Sequence, residues 1–135
     1  MAYNTPDELI VFSKLTYEVI TPTEVETALN NAMIVVDFVS PLEDNDRSIR
    51  AHTLRKLVEI NLATAALWDV IAHRFALDLP DNRIIAALGF QVGADAPHAI
   101  DLQGALIRAS TRYRDEGNRM LKAIKPVLAT LRASK

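Results

Sequence analysis

Residues 48–77 read "SIRAHTLRKLVEINLATAALWDVIAHRFAL", a run without a glycine or a proline. Such a run predicts one long helix, about 45 Å from end to end at 1.5 Å per residue. Leu54, Leu57, Val58 and Leu62 recur at helical spacing and form an apolar stripe. From Ala63 to Ala72 apolar residues wrap the helix almost completely, and a helix apolar on every side must be enclosed by neighbours. The segment is therefore expected to be the hub of an all-α fold. Glu59 and Asn61, set among its apolar residues, need hydrogen-bond partners once buried; a lining position in a groove, or one internal hydrogen bond, is the ordinary reading of both.

Toward the N-terminus the same signal occurs twice, "TPDE" at 5–8 and "TPTE" at 21–24. A threonine hydroxyl accepts from the free N–H groups of a first helical turn. Proline fits the first helical position, and a glutamate three residues after the threonine reaches back to the cap. The two signals predict helices over about 6–20 and 22–39, with Pro22 ending the first. "LIVFSKLTYEVI" (9–20) is also rich in β-branched and aromatic residues, so an edge strand is the alternative there. "SPLEDNDRS" (40–48) reads as a polar loop in which Asp46 or Ser48 caps the hub helix.

Toward the C-terminus, "LDLPDN" (77–82) breaks the hub, and Asp81 or Asn82 can cap a short helix over "RIIAALGF" (83–90). After "QVGADAP" (91–97), capped by Asp95, a last helix is expected from about 97 into the 130s. Leu106, Tyr113, Met120, Ile124, Val127 and Leu131 keep a three-and-four spacing through Ser110 and Gly117. Gly104 and Gly117 weaken this helix, and Pro126 is expected to kink or interrupt it. The architecture expected is a single compact bundle of about five helices over residues 1–135, with a long central apolar helix and a long basic C-terminal one.

Half of the 135 residues are apolar, enough for a core without staples, and the absence of cysteine excludes disulfides and thiol chemistry. No stretch reads as a signal peptide or membrane span, and a cytoplasmic protein is expected. Charge is divided along the chain. Residues 1–46 carry nine acids against Lys14, whereas residues 108–135 carry eight bases against Asp115 and Glu116.

Few residues suggest chemistry. Asp69 and His73 are four apart on the hub, and His98 and Asp101 three apart at the start of the last helix. Two such pairs can meet as a metal site, but helical di-metal bundles use Glu-x-x-His, which is absent. There is no Gly-rich phosphate loop and no nucleophile elbow. No catalytic residue, metal or cofactor is expected. Arg108, Arg112, Arg119 and Lys122, with Tyr113, could track a phosphate backbone. The acidic N-terminal third and a pI near 5.9 argue against a nucleic-acid partner.

"TPTEVETAL" (21–29) resembles the Ser/Asn-Pro-Arg-Glu-x-Glu-x-x-Leu stretch that opens bacterial flagellar biosynthesis regulators of the FlaF family. "LVEIN" (57–61) is similar to the family segment ending in a helical Asn, and Leu79-Pro80 follows Asn61 at nearly the family's distance. "RIIAALGF" and "GALIRASTR" (104–112) resemble its next two helices. The likeness spans residues 16–113. It departs at Ala65, where the family carries an aromatic residue and this chain places Trp68 instead. Its N-terminal helix is longer than the family's, and residues 114–135 extend past the family's usual end.

The resemblance implies a small cytoplasmic protein that binds flagellin and promotes its synthesis or export, with Pro22, Glu24, Glu26, Asn61, Leu79 and Pro80 at matching positions. Glu24, Glu26, Asn61 and Trp68 are the candidate partner-binding residues, and Arg108, Arg112, Arg119 and Lys122 a candidate basic contact surface. The residues alone reach a protein that binds another helix or associates with itself, and an exposed apolar groove lined from the second and third helices would support the first. The competing expectation is a homo-oligomer whose hub is buried against a second copy.

Overall fold

The computed structural model describes residues 2–41, 48–77, 82–88 and 99–133, and within them the chain is all helix and turn. The helices are α1 (Pro6–Ser13), α2 (Pro22–Val39), α3 (Ile49–Leu77), α4 (Asn82–Ala87) and α5 (Ala99–Ala133). No helix among the described residues is long and apolar enough to cross a membrane.

Both repeated signals form complete capping boxes. Thr5 Oγ1 accepts from the Glu8 N–H at 3.2 Å while Glu8 Oε1 accepts from the Thr5 N–H at 3.0 Å. Thr21 and Glu24 repeat the pair at the same two distances. Ser48 caps α3, its Oγ accepting from the Ala51 N–H at 3.1 Å. The alternative cap Asp46, the caps expected at Asp81 and Asp95, and the Leu79-Pro80 pair lie outside the described residues.

The first helix is shorter than the expected 6–20. It ends at Ser13, where Lys14 takes a left-handed conformation (φ 65°) and its N–H bonds the Val11 carbonyl. Ser13 is fully buried, donating to the Ile10 carbonyl at 3.1 Å and accepting from the Leu15 N–H at 3.3 Å. On a continuous helix Leu9 and Leu15 would lie about 120° apart, at 100° per residue. Breaking the helix lets Leu9, Leu15 and Ile20 enter one core, where all three are nearly inaccessible. Tertiary burial here overrides local pattern. The edge-strand alternative is not formed.

α3 is the hub, packed against α1, α2 and, most extensively, α5. Leu67, Trp68 and Ile71 join Val25, Leu29 and Leu106 in a first core, and Val58 joins Val36, Ile124 and Leu128 in a second. α3 and α5 approach closely at Gly117, where a Cβ would lie 2.7 Å from Leu62 Cδ2. α5 runs on through Gly117 and Pro126 without interruption. Proline inside a helix costs about 3 kcal/mol. Ile124 and Leu128, either side of it, are fully buried, at about 1.5–3 kcal/mol each, which outweighs that cost.

The polar hub residues are fastened internally. The Glu59 carboxylate accepts from the backbone N–H groups of Tyr3 and Asn4, both at 2.8 Å, and from Asn4 Nδ2 at 3.0 Å, tying down the residues before α1. Burial pushes the Glu59 carboxyl up from its ordinary value, against the pull of those donors. Arg55, also fully buried, donates to the Ser40 carbonyl at 2.5 Å and lies 3.8 Å from Asp37. Tyr3 donates its phenol to Asp37 at 2.5 Å, and burial together with that carboxylate pushes the phenol up to about 12.

Candidate partner-binding site

A groove of about 230 Å³ lies between α2 and α3. Ala28, Ala66, Leu67 and Val70 supply its apolar surface, and Thr23, Thr27 and Asn31 its α2 rim. Small residues on both helices leave room for another chain to approach. Glu24 stands at the same groove, held from two sides: Arg74 Nη2 lies 2.6 Å from each of its carboxylate oxygens, and the Thr21 N–H completes the cap. Burial pushes the Glu24 carboxyl up, but the Arg74 guanidinium and the Thr21 donors outweigh it and hold the group below its ordinary value. Glu24 therefore presents a fixed, paired carboxylate.

The groove continues as an uncharged face that ends in Ile34 and Phe38. Thr23, Thr27, Asn31, Ile34 and Phe38 fall within about 80° of one another on α2, at 100° per residue. Ile34 is 59% exposed and Phe38 85%, with Val35 beside them. No charged residue occurs from Thr27 to Val36. From Thr23 to Phe38 the face is about 22 Å long, roughly four turns of helix. Isolated exposed hydrophobic residues are ordinary, but an uncharged stripe continuous with a groove is a surface suited to a second apolar helix.

No protein-family model, curated protein or solved structure matches this chain. Of the four candidate partner-binding residues, the structure brings only Glu24 to the groove. Glu26 is exposed but lies about 100° around α2 from the centre of the groove's rim. Asn61 is buried in the α3–α5 seam, its Nδ2 donating to the Leu57 carbonyl at 2.8 Å and lying 3.9 Å from Met120 Sδ. Trp68 is 2% exposed and belongs to the first core. Asn61 and Trp68 thus shape the helices that build the groove and do not form its surface.

The four basic residues share the outer face of α5, opposite Leu106, Ile124 and Leu128. Asp115 is interleaved with them, and Arg119 is paired with Glu116 at 2.5 Å. Asp69 is engaged across the helix seam by Ser110 and Arg114. His73 is exposed, and His98 and the Asp101 side chain lie outside what is described. Among the described residues no three His, Asp or Glu side chains gather as a metal set.

Sequence reasoning missed Ile34, Val35 and Phe38. The signal was present: in "TALNNAMIVVDFV" (27–39) apolar residues exceed the single stripe Val25, Leu29, Ala32 and Val36 that faces the core.

Proposed function

We propose that this chain is a non-enzymatic, chaperone-like binding protein that holds an amphipathic helix of a partner protein along the α2–α3 groove and the outer face of α2. The observation that carries the reading is the exposed Ile34–Phe38 stripe running on from a groove floored by Ala28 and Ala66. An amphipathic helix laid there buries its apolar anchors at i, i+3, i+4 and i+7 against both. The resemblance to FlaF proteins makes flagellin, whose terminal segments are amphipathic helices, the first partner to test, and a role in its synthesis or export the corresponding cellular function. The basic face of α5 is the second contact surface in this reading.

The test is a titration of fluorescently labelled flagellin terminal peptides, followed by anisotropy, against the wild type and Ile34→Asp and Phe38→Asp. Truncating a central apolar anchor typically removes 2 kcal/mol or more, so each variant should bind about 30-fold more weakly. Saturable binding of the peptide that neither substitution weakens would place the contact elsewhere and refute the groove reading. The second reading, a homo-oligomer, draws on the same exposed stripe together with the acidic first third and basic last third of the chain. Sedimentation over a wide protein concentration range separates the two. A monomer at all concentrations that binds the peptide supports the first reading, and a constant oligomer that Phe38→Asp dissociates supports the second.

A further inference from the structure

Apart from the partner groove, a second cavity lies where the end of α1 meets α4 and α5. This cleft, of about 290 Å³, is lined by Lys14, Arg108 and Arg112, with Trp68, Leu88 and Tyr113 supplying its ring and apolar surface. Its cations are set in place by their surroundings. Lys14 sits at the left-handed end of α1 with its backbone N–H held by Val11. Arg108 folds back along its own helix, and Gly104 makes room for it: a Cβ there would lie 3.1 Å from Arg108 Nη1. Arg112 lies over the Tyr113 ring, 4.8 Å from its centroid, and donates to the Tyr113 hydroxyl at 3.0 Å. Tyr113 is steadied in turn by Phe12, edge-on at 5.7 Å.

One further observation points to an anionic ligand. Among the described residues neither Lys14 nor Arg108 has a carboxylate partner, and both are exposed at the cleft.

We propose that this cleft binds a small phosphomonoester carrying a flat apolar body. A phosphomonoester is close to dianionic at neutral pH and offers three strong acceptor oxygens. Three cations lining one cleft match that charge and that number of acceptors better than they match a single carboxylate. The apolar body lies against Leu88 and Tyr113, the half-buried apolar and aromatic residues of the lining. The cleft's volume is at the lower end of the range for small-molecule sites, which limits the ligand to one ring system or its equivalent. The inference is independent of the groove on α2, and Arg108 and Arg112 acquire a role there as ligand contacts.

Trp68 is the only tryptophan and lines the cleft, so all tryptophan emission comes from one residue beside it. The experiment is a fluorescence titration of the full chain with phenyl phosphate, inorganic phosphate and phenol. Phenyl phosphate should give a saturable change, inorganic phosphate should bind at least about tenfold more weakly, and phenol should give none. Arg108→Ala and Lys14→Gly should each weaken phenyl phosphate on the order of 10–100-fold, as expected for loss of a charge-assisted hydrogen bond. Glycine keeps the left-handed turn at 14 intact, and circular dichroism confirms that both variants are folded. Lys125→Ala, an exposed base on the same helix but outside the cleft's lining, should bind as the wild type does. The proposal is overturned by no saturable change with phenyl phosphate, by phenol or inorganic phosphate binding equally well, or by Lys125→Ala losing as much affinity as Arg108→Ala.

Discussion

Replacing Gly117 by alanine sets two effects of known size against each other. In an isolated helix the change is favourable by about 1 kcal/mol, because glycine has the greater backbone entropy to lose. In this fold the new Cβ would lie 2.7 Å from Leu62 Cδ2, 2.9 Å from Leu62 Cγ and 3.3 Å from the Leu62 backbone nitrogen. A clash with Cδ2 alone could be relieved by a rotamer change. The clash with Cγ, and the tight contact with the backbone of α3, require the two helices to separate by some tenths of an ångström. Leu62 packs against both cores, so that movement disturbs each of them. Overpacking of this kind costs about 1–3 kcal/mol, and contact near the root of the side chain puts it in the upper part of that range. The expected net result is a loss of about 1–2 kcal/mol, read by urea denaturation followed by circular dichroism at unchanged m-value. In a Leu62→Ala background the obstacle is gone, and Gly117→Ala should then stabilise by about 1 kcal/mol through helix propensity alone. The double-mutant cycle should therefore show a coupling of about 2–3 kcal/mol. If Gly117→Ala stabilises the wild type by about 1 kcal/mol, and adds to Leu62→Ala without coupling, the close approach of α3 and α5 at this position is refuted.

Pro126→Ala should stabilise the chain, by up to about 3 kcal/mol, since position 126 is exposed and alanine restores an N–H to the helical ladder; thermal unfolding measures it, and a fall in Tm would mean that the proline is needed where it stands. Glu59→Gln should destabilise by about 1–3 kcal/mol, because a side-chain amide turns an NH₂ group toward donors that the carboxylate now accepts. Amide exchange at Tyr3 and Asn4 should rise with it, and unchanged protection there would show that Glu59 does not hold the N-terminal residues. Glu24 gives a pH test. Its folded carboxyl lies below the ordinary value, so its stabilising contribution is present above about pH 4.5 and is lost as pH falls through the folded value. The stability gap between the wild type and Glu24→Gln, which keeps the cap, should close as pH is lowered from about 6 to about 3; a gap that stays constant, or widens, would show that Arg74 does not select the ionised form.

Several features were legible in the sequence because their causes are local. The capping boxes at Thr5 and Thr21 depend on four consecutive residues each, and they form as written. The hub could be read because a helix apolar on all sides has only one kind of environment open to it. The end of α1 was not legible in the same way. Its position depends on Leu15 and Ile20 reaching the core beside Leu9, a long-range demand that no window of neighbouring residues contains. The continuity of α5 past Pro126 is a similar case, since the burial of Ile124 and Leu128 against Val36 and Val58 outweighs a strong local breaker.

The candidate site divides along the same line. The cap at Glu24 was legible locally and the resemblance made that residue a site candidate, but its partner Arg74, 50 residues away, could not be read. Asn61 stands out as a polar residue on the hub and Trp68 enters through the resemblance, and the fold buries both. Asp69 and His73 are near neighbours on α3, yet Asp69 turns to Ser110 and Arg114 on α5. The sequence by itself determined the helices, the starts of α1, α2 and α3 and the identity of the hub, because backbone hydrogen bonds, caps and amphipathic period act over a few residues. Only the tertiary structure decided which apolar residues are left outside. Ile34 and Phe38 are as apolar as Val36, and it is the packing of α2 against α3 that buries Val36 and leaves the other two facing solvent.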